Sequence, residues 1–141
     1  MTTKEISIAF RTDKFDYRSE LPEHYNAGNR FYGEDVAAYL CEHLTQHGVQ
    51  AAFGDEDWGW WVDGPLSSSG RFEIAVYKLY PEDSTGEQHS AEWGLIVSAS
   101  QKYRFLKLLP VYRAVPVPST LTSILDSALQ ALGCQPYPWM Q

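Results

Sequence analysis

Residues 54–64, GDEDWGWWVDG, crowd four carboxylates (Asp55, Glu56, Asp57, Asp63) and three tryptophans (Trp58, Trp60, Trp61) into eleven positions. Carboxylates beside aromatic rings can flank a glycosidic bond, or they can rim an aromatic anchor on a protein-binding surface. If 57–63 is extended, side chains alternate between faces. Trp58, Trp60 and Val62 then point to a core, while Asp57, Gly59, Trp61 and Asp63 point away from it. Trp61 either packs under neighbouring chain or stands outward between two carboxylates.

Other chemical signatures fall short. His43 and His47 are one helical turn apart, a spacing that lets two imidazoles share zinc. Leu44, not Glu, follows the first histidine, so the metalloprotease pattern is missing. Asp55, Asp57 and Gly59 resemble the start of a calcium loop, but Trp60 and Leu66 occupy the positions that need Gly and a bidentate Glu. Ser67-Ser68-Ser69 lacks the flanking glycines of a nucleophile elbow, and no glycine-rich phosphate loop is visible. The expectation is a protein that is not an enzyme and uses no metal or other cofactor.

Charge sets the expected partner. The chain is 141 residues with net charge −7. Residues 1–70 hold twelve acids against five bases, and residues 71–141 hold six of each. This balance disfavours nucleic acid, whose phosphates call for Lys and Arg, and favours a basic protein. No apolar run is long enough to cross a bilayer. The start, MTTKEISIAF, has no basic region leading into an apolar stretch, and the two cysteines, Cys41 and Cys134, are far apart. A cytoplasmic protein with reduced thiols is expected, with no membrane or nucleic acid as partner.

The elements that must position these residues follow from periodicity. Ile6, Ile8 and Phe10 alternate in a first strand, and residues 12–29 form a long aperiodic connection of the kind that carries function. A helix is predicted from about Phe31 to His47, with Val36, Ala37, Leu40, Cys41 and Leu44 as its apolar stripe. Short strands are predicted at 50–53 and 58–62. A hairpin pairs 71–77 with 93–99 around PEDSTGEQHS. Residues 101–117 fit helix or strand equally. Ser119 is read as the cap of a last helix, with Leu121, Ile124, Leu125, Ala128, Leu129 and Leu132 inward and Gly133 at its end. The tail, QPYPWMQ, is aromatic and extended. The order β-α-β-β-β-β-α implies one α+β domain over 1–141, a two-layer sandwich of a mainly antiparallel sheet with helices on one face.

The segment YNAGNRFYGEDVAAYLCEHLTQHGVQ, followed by DEDWGWWV, resembles a group of small uncharacterised bacterial proteins with an acidic Asp-Trp-Gly-Trp motif. That likeness spans roughly residues 24–62. The small, acidic format also resembles immunity proteins of bacterial toxin systems, which implies inhibition of a toxin by binding it. The expected function is non-enzymatic binding of a basic protein partner such as a toxin domain. The expected surface combines Asp55, Glu56, Asp57, Trp61 and Asp63 with Asp13, Asp16, Tyr17, Glu20, Glu23 and Tyr25 of the long loop. The alternative is a small-molecule or carbohydrate-binding module, weakly hydrolytic at most, with the tryptophans as stacking platforms.

Overall fold

A computed structural model describes residues 4–66, 69–80, 91–105 and 109–139. Six strands form one antiparallel sheet: β1 (Glu5–Arg11), β2 (Ala52–Glu56), β3 (Gly59–Pro65), β4 (Gly70–Lys78), β5 (Glu92–Phe105) and β6 (Leu109–Val115). Among the described residues two α-helices, α1 (Glu34–Gln46) and α2 (Ser119–Ala131), and a short 3-10 helix at Tyr25–Gly28 accompany the sheet. The strand order is β1-β5-β4-β3-β2, with β6 following β1 along the same edge of the long β5. The expected α+β two-layer arrangement and element order hold. The ambiguous stretch after residue 100 becomes the end of β5 and an added strand, β6, while the PEDSTGEQHS tip and Ser67-Ser68 lie outside the described residues.

Alternation decides which face is core. Phe10, Trp60, Val62, Phe72, Ile74, Val76, Trp93, Leu95 and Val97 are buried on the face that α1 and α2 cover. From the helices, Val36, Ala37, Leu40, Leu44, Leu121, Leu125, Ala128 and Leu129 complete that core, as their 3.6-residue spacing predicts. Cys41, Ile124 and Leu132 flank it, only partly buried. Helix α1 stops where expected, with Gly48 at φ +82° donating to the Thr45 carbonyl. Ser119 does not cap α2: it is the first helical residue, Pro118 holds the cap position, and no side chain bonds there. Proline's fixed φ makes this entry without a hydroxyl.

The opening stretch folds as a β2–β3 hairpin in which Glu56 pairs with Gly59, so Asp57 and Trp58 form its turn. This corrects the continuous extended reading of 57–63. Trp60 is 5% exposed and belongs to the core. Trp58, displaced by the turn, instead packs on Tyr77, with ring centroids 5.3 Å apart. Tyr77 pairs with Gly94 and Trp61 with Ala75, so both rings belong to the sheet face away from the helices. Trp61 is half-buried across Gly54, where an added Cβ would stand 2.7 Å from the indole ring. On the same face the tail lays Trp139 over Gly94, its Nε1 donating to the Leu95 carbonyl at 3.2 Å.

Candidate functional site

The long loop is not loose chain. Phe15 is buried and packs at 6.1 Å, edge-on, against Trp93, and Tyr17 is only 8% exposed. Lys14 Nζ donates to the Leu132 carbonyl at 2.9 Å, tying the loop to the end of α2. At its far end Asn26 is fully buried in a left-handed conformation, φ 53° and ψ 46°. Its Nδ2 donates to the Glu56 and Gly59 carbonyls at 2.8 and 2.6 Å, and its Oδ1 accepts from the Phe31 amide at 2.7 Å. Its own amide donates to Asp55 Oδ2 at 2.9 Å. One side chain thus stitches the loop to both ends of the β2–β3 turn. Asn tolerates this backbone better than most residues because its short amide bonds locally.

Between these anchors the loop and the first turn of α1 enclose a groove of about 440 Å³. Four carboxylates line it (Asp16, Glu20, Glu34, Asp35), together with the rings of Tyr25, Phe31 and Tyr32. Leu21 and Pro22 supply an apolar wall. Asp35 Oδ2 accepts from the Asp16 amide at 2.7 Å, and Tyr32 donates to the Ser19 carbonyl at 2.8 Å, so both walls are held to each other. Trp60 Nε1 donates to the Phe31 carbonyl at 2.8 Å, fixing the groove's rim to the sheet.

The acids of the groove are unequal. The Ser19 hydroxyl, with the Arg18 and Ser19 amides, holds Asp16 below the usual carboxylate range. Burial pushes Asp35 up, against the pull of backbone amides. A hydrogen bond to Glu34 raises the Tyr25 phenol and keeps its proton in place. A cationic group entering this groove meets negative charge on one side and π-faces on the other, both attractive to ammonium or guanidinium.

The residues expected to form one surface are divided. Asp16, Glu20 and Tyr25 line the groove, and Glu23 stands near it, 3.6 Å from Arg30. Asp55 is bound to the same Asn26 turn, and Asp57 joins it through its carbonyl, which accepts from Asn29 Nδ2 at 2.8 Å. Asp13 lines a separate depression with Lys14 and Arg18. Tyr17 lines that same depression but is mostly buried, its ring between the Arg18 guanidinium at 4.7 Å and Lys78 Nζ at 5.7 Å. Trp61 and Asp63 lie across the sheet from the groove, with Asp63 2.6 Å from Arg71. Glu56 shares their face by register.

The expected surface left out Glu34, Asp35, Asn26 and Tyr32, and Phe31 figured only as the start of a helix. The alternation of Phe15 and Tyr17 inside an aperiodic stretch is the signal that the loop is anchored. The three tryptophans of the opening stretch do not line one concavity. On α1, the His43 and His47 rings stack at 4.6 Å, and His47 Nδ1 is 2.9 Å from the His43 carbonyl. Cys41 turns away from them to donate to the Ala51 carbonyl. Among the described residues no three His, Cys, Asp or Glu side chains are grouped to hold a metal, and no helix is long and apolar enough to cross a membrane. Compared with known proteins, the chain matches no family model, no curated protein and no solved structure.

Proposed function

We propose that this protein is a non-enzymatic binding domain whose acidic groove receives basic side chains of a partner protein. The observation that carries the reading is the groove itself, in which four carboxylates and three aromatic rings converge on a volume of about 440 Å³. Arginine suits such a site, since its planar guanidinium can take a carboxylate in a fork and stack on a ring at once. An immunity-type role follows the same chemistry: carboxylates that engage a toxin's catalytic arginines or lysines occlude its active site. With Trp60 in the core, only Trp58 and Trp61 of the three are left for a stacking platform, and they lie on the sheet face away from the groove.

Association with a basic partner is steered by charge and slows as salt shortens the Debye length. Nona-arginine peptide is the simplest probe. Glu20→Gln with Glu34→Gln should weaken its binding about fivefold to tenfold, since each exposed ion pair contributes roughly 0.2–1 kcal/mol. Glu5→Gln with Glu73→Gln removes equal charge from the other sheet face and serves as the control. Equal losses in the two pairs would reduce the groove to one part of a diffuse field and overturn the reading.

A further inference from the structure

The sheet has a second unpaired feature, opposite in charge. Strand β4 last pairs with β5 at Gly70 and Gln101, yet β5 continues to pair with β6 as far as Phe105 and Leu109. Residues 103–105 and 109–111 therefore run as a paired two-stranded arm past the edge of β4. Every residue of β6 except Val115 is exposed. Four of the exposed large apolar side chains lie here: Tyr103, Leu109, Val111 and Tyr112. Residues 101–117 also hold four bases (Lys102, Arg104, Lys107, Arg113) and no acid, leaving seven bases against 18 acids in the remainder. The Arg113 guanidinium stands 5.3 Å from the Tyr103 ring, so base and aromatic are presented together.

The matching chemistry is on the same molecule, but out of the arm's reach. In the sheet, β6 pairs with β5, and β2 closes the far edge beyond β4 and β3. At that far edge are Phe53 and Asp55, while the groove sits at the opposite end of the strands from the arm, where Gly33 abuts Trp60 and Val76 and these pair towards Leu95; Phe53 and Phe31 are themselves exposed. Four strand spacings of about 4.8 Å separate β2 from β6, roughly two Debye lengths at physiological salt. Along the sheet Leu95 and Tyr103 of β5 are eight residues of about 3.3 Å apart, so although Arg113 shares a depression with Asp63 and Glu73, the arm does not reach the acids of its own groove.

We infer that the basic arm of one molecule docks in the acidic groove of a second copy. The inference rests on the reading of the groove as a receptor for basic protein, and it names one such protein segment. Because arm and groove are different patches, the contact is heterologous and propagates head to tail, closing into a ring or continuing as a chain.

Sedimentation velocity on the full chain tests this with two variants, each checked for folding by thermal melting. Arg104→Gln with Arg113→Gln disables the arm, and Glu20→Gln with Glu23→Gln disables the groove at side chains that touch solvent. Wild-type protein should associate as concentration rises towards about 1 mM, and dissociate as salt is added. Each variant alone should self-associate at least tenfold more weakly. An equal mixture of the two should form dimers and stop there, because only one intact arm–groove pair is possible per pair of molecules.

Three outcomes overturn the inference: a wild-type monomer throughout, association indifferent to the arm variant, or a wild-type monomer whose arm is needed to bind phosphatidylserine vesicles. Nona-arginine separates the two levels. A monomeric protein that still binds the peptide in its groove refutes the arm alone, whereas one that does not bind it refutes the groove as well.

Discussion

Replacing Asn26 by alanine should remove about 4 kcal/mol of stability, most of it from three hydrogen bonds. The amide group gives two donors to the Glu56 and Gly59 carbonyls and accepts one bond from the Phe31 amide. Each buried bond contributes about 1 kcal/mol net, and the groups left behind find no water at a fully buried position. Alanine also bears the left-handed backbone at φ 53° without a side chain that bonds locally, which adds about 1 kcal/mol. Against a total stability of roughly 5–15 kcal/mol this is a large loss. Asn26→Gly loses the same bonds but not the backbone term, so it should fall near 3 kcal/mol. Asn26→Asp keeps the shape, replaces both donor hydrogens with an oxygen facing two carbonyls, and should be at least as damaging as alanine. Urea unfolding followed by tryptophan fluorescence measures all three. A loss below about 1 kcal/mol for Asn26→Ala would show that the loop is held without this residue, and the account of a preformed groove would fail.

The remaining predictions concern the core, the turn and a buried amine. Trp60→Ala should cost about 3–5 kcal/mol, as loss of a large buried ring does, while Trp61→Ala on the outer face should cost about 1 kcal/mol. Thermal melts that reverse this order would invert the strand register. Ala27, exposed at φ 55°, holds a backbone that favours glycine, so Ala27→Gly should raise stability by about 0.5 kcal/mol after the entropy gained by the unfolded chain. A loss of stability in urea would contradict the conformation of that turn. Lys78 is buried with its Nζ 4.7 Å from the Tyr80 ring and 5.6 Å from Trp93, and burial brings its pKa down from 10.5 to about 8. The unfolded chain binds this proton more tightly, so stability should rise between about pH 8 and 10.5, by about 2–3 kcal/mol at the upper end. Lys78→Met should flatten that rise, and a parallel pH profile in the variant would refute the assignment.

Periodicity made most of the fold legible. Two-residue alternation in 71–77 and 93–99 and the stripes of both helices translate directly into burial, because one face of each element must leave water. What the sequence concealed is set by tertiary placement. A two-residue turn at Asp57 and Trp58 moves Trp58 off the core face, although Trp60 and Val62 keep theirs. Strand β6 escapes the pattern because all of its residues but Val115 are exposed, so no alternation is imposed. The groove was half legible: loop acids and Tyr25 could be suspected from composition. Asn26 could not, since a buried polar staple is defined by the carbonyls of residues thirty positions away. Trp61 and Asp63 were grouped with the loop acids by outward alternation and charge, and the sheet itself lies between them and the groove.

The most direct measurement of the central claim is residue-resolved NMR of the isotopically labelled protein during titration with nona-arginine peptide at low salt. Shifts should concentrate at the amides and rings around Asp16, Glu20, Tyr25, Tyr32 and Asp35, and weaken in Glu20→Gln with Glu34→Gln. Little should change around Trp61, Asp63 and Glu73 on the far sheet face. Shifts centred on that far face, or spread evenly over every exposed carboxylate, would contradict the claim.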